Sequence, residues 1–287
     1  VSHPFGELSA QRQHLGAALR RLRVAAGLSG EQIAERTGIS QSRVSRIELG
    51  QQSIPIAVAE SWARAAGATG PDLDAVIELA EAAATQTISW RKTANRGLVK
   101  LQQDSRQAEA SAATIRNYQP LGIPGLLQVP EYSRRLLAAG YPRRSPEEVA
   151  AAVKARMDRQ VILFDENRHF EFVMGAAALY WRPGPASLIR AQLDRISAVA
   201  ELANVTIGVI PFGTEVADVW CEHSFNIFDD REDMQDPFVH VETLTTPVNV
   251  TDPADVAAYL EVFGQLRDAA VTGENAKQLI TEASHSL

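Results

Sequence analysis

Apolar positions in the first third of the chain repeat at helical spacing. Leu15, Leu19, Leu22 and Ala26 share one face of a helix over residues 9–26, and Arg12, Arg20, Arg21 and Arg23 lie off that face. Gly27 ends it, because glycine takes the left-handed backbone that closes helices. Ser29 with Gln32 three residues on makes a capping box, which opens a short helix running to Thr37. Gly38 breaks that helix, and Ser40 caps another that reaches about Leu49 before Gly50. Pro55 leads a helix to Ala66, and Asp72 to Ala84 forms one more. These elements predict a helix-turn-helix domain over 9–70, a helical linker over 71–97 and a larger domain over 98–287.

Beyond the linker the pattern alternates between helical and extended periods. Asn95–Ala113, Glu131–Ala139, Pro146–Phe164, Ala186–Ala203, Pro253–Ala270 and Glu274–Ser284 read as helices. Ile189, Leu193, Ile196, Val199 and Leu202 keep register along the helix from Ala186. Phe170–Met174, Val205–Val209, Phe225–Phe228 and Phe238–Thr243 read as strands, the last two around an acidic loop, Asp229 to Asp236. Leu121–Val129, with its Gly and Pro, is irregular. The expected architecture is an N-terminal all-α helix-turn-helix bundle plus a C-terminal α+β domain with a small sheet.

Residues 30–49 meet a demanding set of positional requirements. Counting from Gly30, the fifth residue is the small Ala34, the ninth is Gly38 and the fifteenth is the apolar Val44. The fifth must be small because the second helix crosses it, the ninth sits in a turn that favours glycine, and the fifteenth anchors the outer helix. Ile33, Ile39 and Ile47 fill further buried positions, and Thr37 is more polar than such a site usually holds. The competing interpretation is an ordinary packed helical hairpin.

The run LGAALRRLRVAAGLSGEQIAERTGISQSRVSRIELG resembles the phage-repressor, or xenobiotic-response-element, class of helix-turn-helix. That resemblance implies a compact bundle of about five helices that binds DNA. It also implies an ion pair that holds the fold, and the matching residues here are Arg23 and Glu48.

Helix geometry then nominates the groups that would meet DNA. With Val44 and Ile47 turned inward, steps of about 100° per residue put Ser42, Ser45 and Arg46 outward, with Gln41 and Arg43 flanking. Glutamine matches adenine and arginine matches guanine through paired hydrogen bonds in the major groove. Arg46 could reach either a base or a phosphate. Ser29, Gly30 and Ser40 stand at helix starts, where backbone N–H groups favour phosphate, and Gln51 and Gln52 follow the outer helix. One such domain spans a short half-site, so a homodimer on a near-palindrome of double-stranded DNA is expected.

Charge adds to this picture. The chain carries −7 overall, but its first 70 residues hold eight arginines against five glutamates, with no lysine or aspartate. A basic head on an acidic body suits a head that meets phosphates.

A second resemblance covers most of the remaining chain. IPGLLQVPEYSRRLLAAG, KARMDRQVIL, RAQLDRISAVAELANVTIGVIPF and VHVET are similar to the domain that follows this helix-turn-helix in a large class of actinobacterial regulators, described as antitoxin-like. The resemblance implies control by a small acidic protein encoded nearby. Taken by itself, the apolar stretch with Ile123, Pro124, Leu126 and Leu127 is either buried beneath the sheet or a partner-binding groove. Arg156, Arg159 and Gln160 are surface or internally hydrogen-bonded groups, or an anion site.

Other chemistries find little support. The chain lacks HExxH, GxSxG, P-loop and GxGxxG motifs, so no catalytic residue, metal or cofactor is expected. Cys221, Glu222 and His223, with His240, are the nearest approach to an enzyme site, and a single cysteine excludes an internal disulfide framework. No apolar run reaches the ~18 residues of a membrane span, and Val1 to Gly16 has no leader pattern, so a cytoplasmic protein is expected. Control of the second domain by a small ligand, or an enzyme with a DNA-binding head, are the alternatives to a protein partner.

Overall fold

The computed structural model describes residues 7–287 apart from 88–96, 141–142, 216–218, 220, 231–236 and 244–246. Residues 88–96 of the linker expected over 71–97 and most of the acidic loop Asp229–Asp236 lie outside the described residues, as do the first six residues of the stretch Val1 to Gly16. The described chain divides into two units.

The first unit is built on five helices: α1 (Glu7–Ala25), α2 (Gly30–Thr37), α3 (Gln41–Glu48), α4 (Ile56–Ala65) and α5 (Pro71–Ala84). Their apolar stripes meet in one core, where Leu19, Ile33 and Trp62 are fully buried and Val44 and Ile47 nearly so. Helix α5, expected within the linker over 71–97, packs on α1 and α4 through Leu73, Val76 and Ala80. Its own buried stripe makes it part of the bundle, since an amphipathic helix left alone would expose that face to water.

The second unit continues with α6 (Gly97–Ser111), β2 (Ala112–Gln119), a 3-10 turn at Gly125–Leu127, α7 (Pro130–Ala139) and α8 (Pro146–Arg159). A second 3-10 turn, Gln160–Phe164, leads to β3 (His169–Gly175), α9 (Ala177–Tyr180), α10 (Ala186–Val199) and β4 (Val205–Ile210). Strand β5 (Phe225–Asp230) follows, then β6 (Phe238–Glu242), of which only the part from His240 on belongs to this unit, and α12 (Gly273–His285) is the last helix described. Within the second unit the strand order is β5-β2-β3-β4. Strands β2, β3 and β4 are parallel neighbours, with Ile115 opposite Phe170 and Phe172 opposite Ile207, while β5 runs antiparallel to β2. Parallel neighbours need long crossovers, and α7 with α8, then α9 with α10, supply them. Helix α10 buries Ile189, Leu193, Ile196 and Val199.

Strand β2 is not predicted by the alternation of its residues, because its middle is polar. Arg116 Nε donates to Glu171 Oε1 on β3 at 2.9 Å, and Asn117 Nδ2 donates to Asn226 Oδ1 on β5 at 2.6 Å. Cross-strand partners stand in for the apolar contacts that a central strand otherwise makes.

Part of the first unit comes from late in the chain. Strand β1 (Thr85–Thr87) pairs antiparallel with β7 (Pro247–Val250), with Thr85 opposite Val250. Residues Val248–Ala258, which include the start of α11 (Pro253–Asp268), belong to the first unit.

Candidate nucleic-acid interface

The short helices α2 and α3 owe their limits to local chemistry. Ser29 Oγ accepts from Gln32 N at 3.1 Å and Gln32 Oε1 accepts from Ser29 N at 2.7 Å, a complete capping box. Gly38 closes α2 in the left-handed region at φ 73°, and its N–H donates to Ala34 O. Ser40 then turns the chain into α3, its Oγ accepting from Arg43 N at 3.3 Å and lying 3.1 Å from Ser42 Oγ.

Val44 and Ile47 point into the core, each 2% exposed, and Ala34 beneath the crossing is buried. The opposite face of α3 presents Gln41, Ser42 and Ser45 to solvent, with Arg43 and Arg46 half-buried along its sides. Gly30 lies beside the start of α3: a Cβ built there would stand 3.8 Å from Gln41 Nε2. Ser29, Gly30, Ser40, Gln41 and Ser42 thus occupy the starts of two adjacent helices, where unpaired N–H groups and the helix dipole favour an anion.

An ion pair locks the far end of α3. Arg23 Nε and a terminal nitrogen donate to the two carboxylate oxygens of Glu48 at 2.5 and 2.8 Å, and its other nitrogen donates to Leu28 O at 2.9 Å. The hydrogen bonds that Arg23 donates to Glu48 push its pKa up further, outweighing its partial burial. These two residues hold α3 against α1 and are turned away from the polar face.

Two glycines let the helices approach this closely: Gly16, which the sequence reading did not single out, and Gly50, which it read only as the stop after α3. A Cβ at Gly16 on α1 would lie 2.3 Å from Ile47 O and 2.9 Å from Glu48 O. Gly50, at φ 68°, also sits tight against Gln13, whose backbone N would lie 2.7 Å from a Cβ built there. A glycine inside a helix reads only as a local weakness unless the partner that approaches it is known.

The groups nominated in the second unit are mostly internal. Ile123, Pro124, Leu126 and Leu127 are all buried and present no open groove in this conformation. Their irregular backbone is satisfied by glutamines. Gln128 Nε2 donates to Ile123 O at 2.7 Å, Gln160 Nε2 to Gln128 O at 2.7 Å and Gln192 Nε2 to Leu127 O at 2.8 Å. Arg156 joins this network by donating to Gln128 Oε1 at 2.7 Å and Gln102 Oε1 at 3.2 Å. Arg159 pairs with the buried Glu109 at 3.2 Å. Burial pushes the Glu109 carboxyl up to about 7 despite the opposing pull of Arg159 and Arg156, and burial brings Arg156 down to about 10, helped by the charge of Arg159.

Cys221, half-buried, donates its thiol to His223 O at 3.3 Å, and His223 Nε2 lies 3.0 Å from the Tyr259 hydroxyl. Burial raises the Cys221 pKa, which works against a thiolate nucleophile. His240, on β6, has its Nε2 3.7 Å from Glu242 Oε1. Among the described residues no three of His, Cys, Asp and Glu converge as they would around a metal ion, and no helix is long and apolar enough to cross a membrane.

Comparison with known proteins matches two family models to the chain. A helix-turn-helix domain model matches residues 14–76, the segment that holds the whole of α2, α3 and α4, so the head is of the DNA-binding kind found in transcriptional regulators. No curated protein and no solved structure matches the chain. Residues 102–282, well over half of the chain, match the domain of unknown function DUF5753. With its DNA-binding head placed ahead of that domain, the chain belongs to the DUF5753 family.

Proposed function

We propose that this protein is a sequence-specific transcriptional regulator that lays α3 in the major groove and reads bases with Gln41, Ser42 and Arg46. Ser45 and Arg43 flank the contact, and the helix starts at Ser29, Gly30 and Ser40 hold phosphates. One observation carries this reading: Val44 and Ile47 are buried while Gln41, Ser42 and Ser45 on the same eight-residue helix are exposed. A helix anchored by one face with its polar face open is the geometry that major-groove recognition needs. The protein binds as a homodimer, since two heads are required to cover a near-palindromic site. Its second unit answers to a small acidic protein encoded nearby. The partner's contact is assigned to exposed side chains such as Tyr180, Trp181 and Phe212 rather than to the buried Ile123, Pro124, Leu126 and Leu127.

Genome-wide footprinting of the purified protein, with and without the neighbouring small protein, tests both parts. The expected outcome is a protected near-palindrome with half-sites about 34 Å apart, and occupancy that changes when the small protein is added. Protection with no common sequence would defeat the base-reading assignment. Occupancy indifferent to the small protein would defeat the assigned mode of control.

A further inference from the structure

Two helix ends in the DNA-binding unit are finished by residues that arrive far along the chain. Helix α4 begins after Pro55, which offers no side chain to cap it. The Ile56 N–H donates instead to Asp252 Oδ2 at 3.3 Å, 196 residues away. The other oxygen of Asp252 accepts from Ala254 N at 2.9 Å and so caps α11. At the end of α5, Thr251 Oγ1 donates to Ala83 O at 3.0 Å and Ala84 O at 3.2 Å, and Thr251 N donates to Ala84 O at 3.0 Å. Helix ends hold carbonyl and N–H groups with no partner inside the helix. Here one residue supplies the partners for α5 and the next supplies a partner for α4. Both are buried, Thr251 at 1% exposed and Asp252 at 7%.

The same latch stands behind the reading helix. A small cavity in the first unit is walled by Arg12, Leu15, Ile47, Ile54, Ala84 and Thr251. Ile47 is one of the two side chains that seat α3. Thr251 and Ile47 thus line the same cavity, one on the late segment and the other on α3. The strap is also tethered: the chain on either side of Val248–Ala258 belongs to the second unit.

We infer that Thr251 and Asp252 are positioning residues for DNA binding. They hold α4 and α5, and through them the seat of α3, so a change in the second unit that pulls on residues 248–258 lowers the affinity of the head for DNA. This rests on the DNA-binding reading above and adds the route by which the second unit exerts control.

The test uses the full-length chain and four variants: Thr251→Val, Thr251→Ser, Asp252→Asn and Asp252→Ala. Site-resolved amide hydrogen exchange is the first readout and affinity for the footprinted site the second. Thr251→Val and both Asp252 variants are expected to exchange roughly 5- to 30-fold faster in α3, α4 and the end of α5, the range for a lost cap. Strands β2, β3 and β4 should keep the parent rates, DNA affinity should fall by a comparable factor, and Thr251→Ser, which retains the hydroxyl, should restore both. Parent-like exchange in α3 and α4 would overturn the inference. So would acceleration that spreads equally to β2–β4, because that reports global unfolding. If Asp252→Ala does not fold, Asp252→Asn, which keeps the shape and one acceptor, decides the matter. A parent protein that binds no DNA would sink the reading of α3, while the exchange data would still test the latch.

Discussion

Replacing Gly16 by alanine puts two effects of opposite sign against each other. Alanine in the interior of a helix is favoured over glycine by about 1 kcal/mol. At Gly16 the new methyl would lie 2.3 Å from Ile47 O and 2.9 Å from Glu48 O, with Glu48 C at 3.0 Å. All three are backbone atoms of α3, so no rotamer change relieves the clash, and α1 and α3 must separate by roughly 1 Å. Overpacking of this kind costs about 1–3 kcal/mol and more where the backbone itself is pushed. Separation also stretches the Arg23–Glu48 pair, now at 2.5 Å. The net expectation is a loss of about 2 kcal/mol, which for a unit of this size corresponds to a fall of about 10 °C in melting temperature. Gly30→Ala is the matched control, because its methyl would meet only side-chain atoms at 3.8 Å. Calorimetric melting of the full-length protein and both variants reads the difference. A Gly16→Ala protein as stable as the parent, or more stable, would refute the close crossing and with it the argument for how α3 is seated.

Three further expectations concern other parts of the molecule. Gln41→Ala and Arg46→Ala should each cost roughly 1–3 kcal/mol of discrimination at the footprinted site without lowering the melting temperature, and equal binding by mutant and parent in a competition assay would remove those residues from the reading set. Glu48→Gln leaves Arg23 with a neutral partner and should destabilise the head by roughly 2–3 kcal/mol in chemical denaturation, less than for a fully buried pair because both side chains keep some exposure, at 15% and 10%. Glu109 is held neutral in the fold to about pH 7 but ionises near 4.5 when unfolded. The folded state therefore binds the extra proton, and its contribution to stability is full below about pH 4.5 and lost as pH rises to about 7, on the order of 3 kcal/mol. Glu109→Gln should flatten that part of the pH–stability curve, and an unchanged slope would contradict it.

The two capped helices of the head were readable because their signals are local. Ser29, Gln32, Gly38 and Ser40 act within four residues of themselves, and the structure puts a cap or a left-handed turn at each of those positions. Strand β2 was not readable, since Arg116 and Asn117 break the alternation and their partners Glu171 and Asn226 lie 55 and 109 residues on. The burial of Leu126 and Leu127 was left open by the sequence, because what permits it is a set of glutamines spread from Gln128 to Gln192. The close approach at Gly16 and the helix-capping by Thr251 and Asp252 left no mark in the sequence pattern. In each case the deciding contact is made with a distant segment, to which hydrophobic periodicity is blind.

The bonds from Thr251 to the end of α5 have a bearing on how the protein is made. They span 167 residues between Ala84 and Thr251. During synthesis the five helices of the head leave the ribosome long before their fastener exists, and a nascent chain that has not yet reached Asp252 cannot close both helix ends. Contacts so distant in sequence form late and slowly. A fragment released early, or a graft cut at the end of α5, would carry every base-facing side chain and still lack the clasp that steadies them.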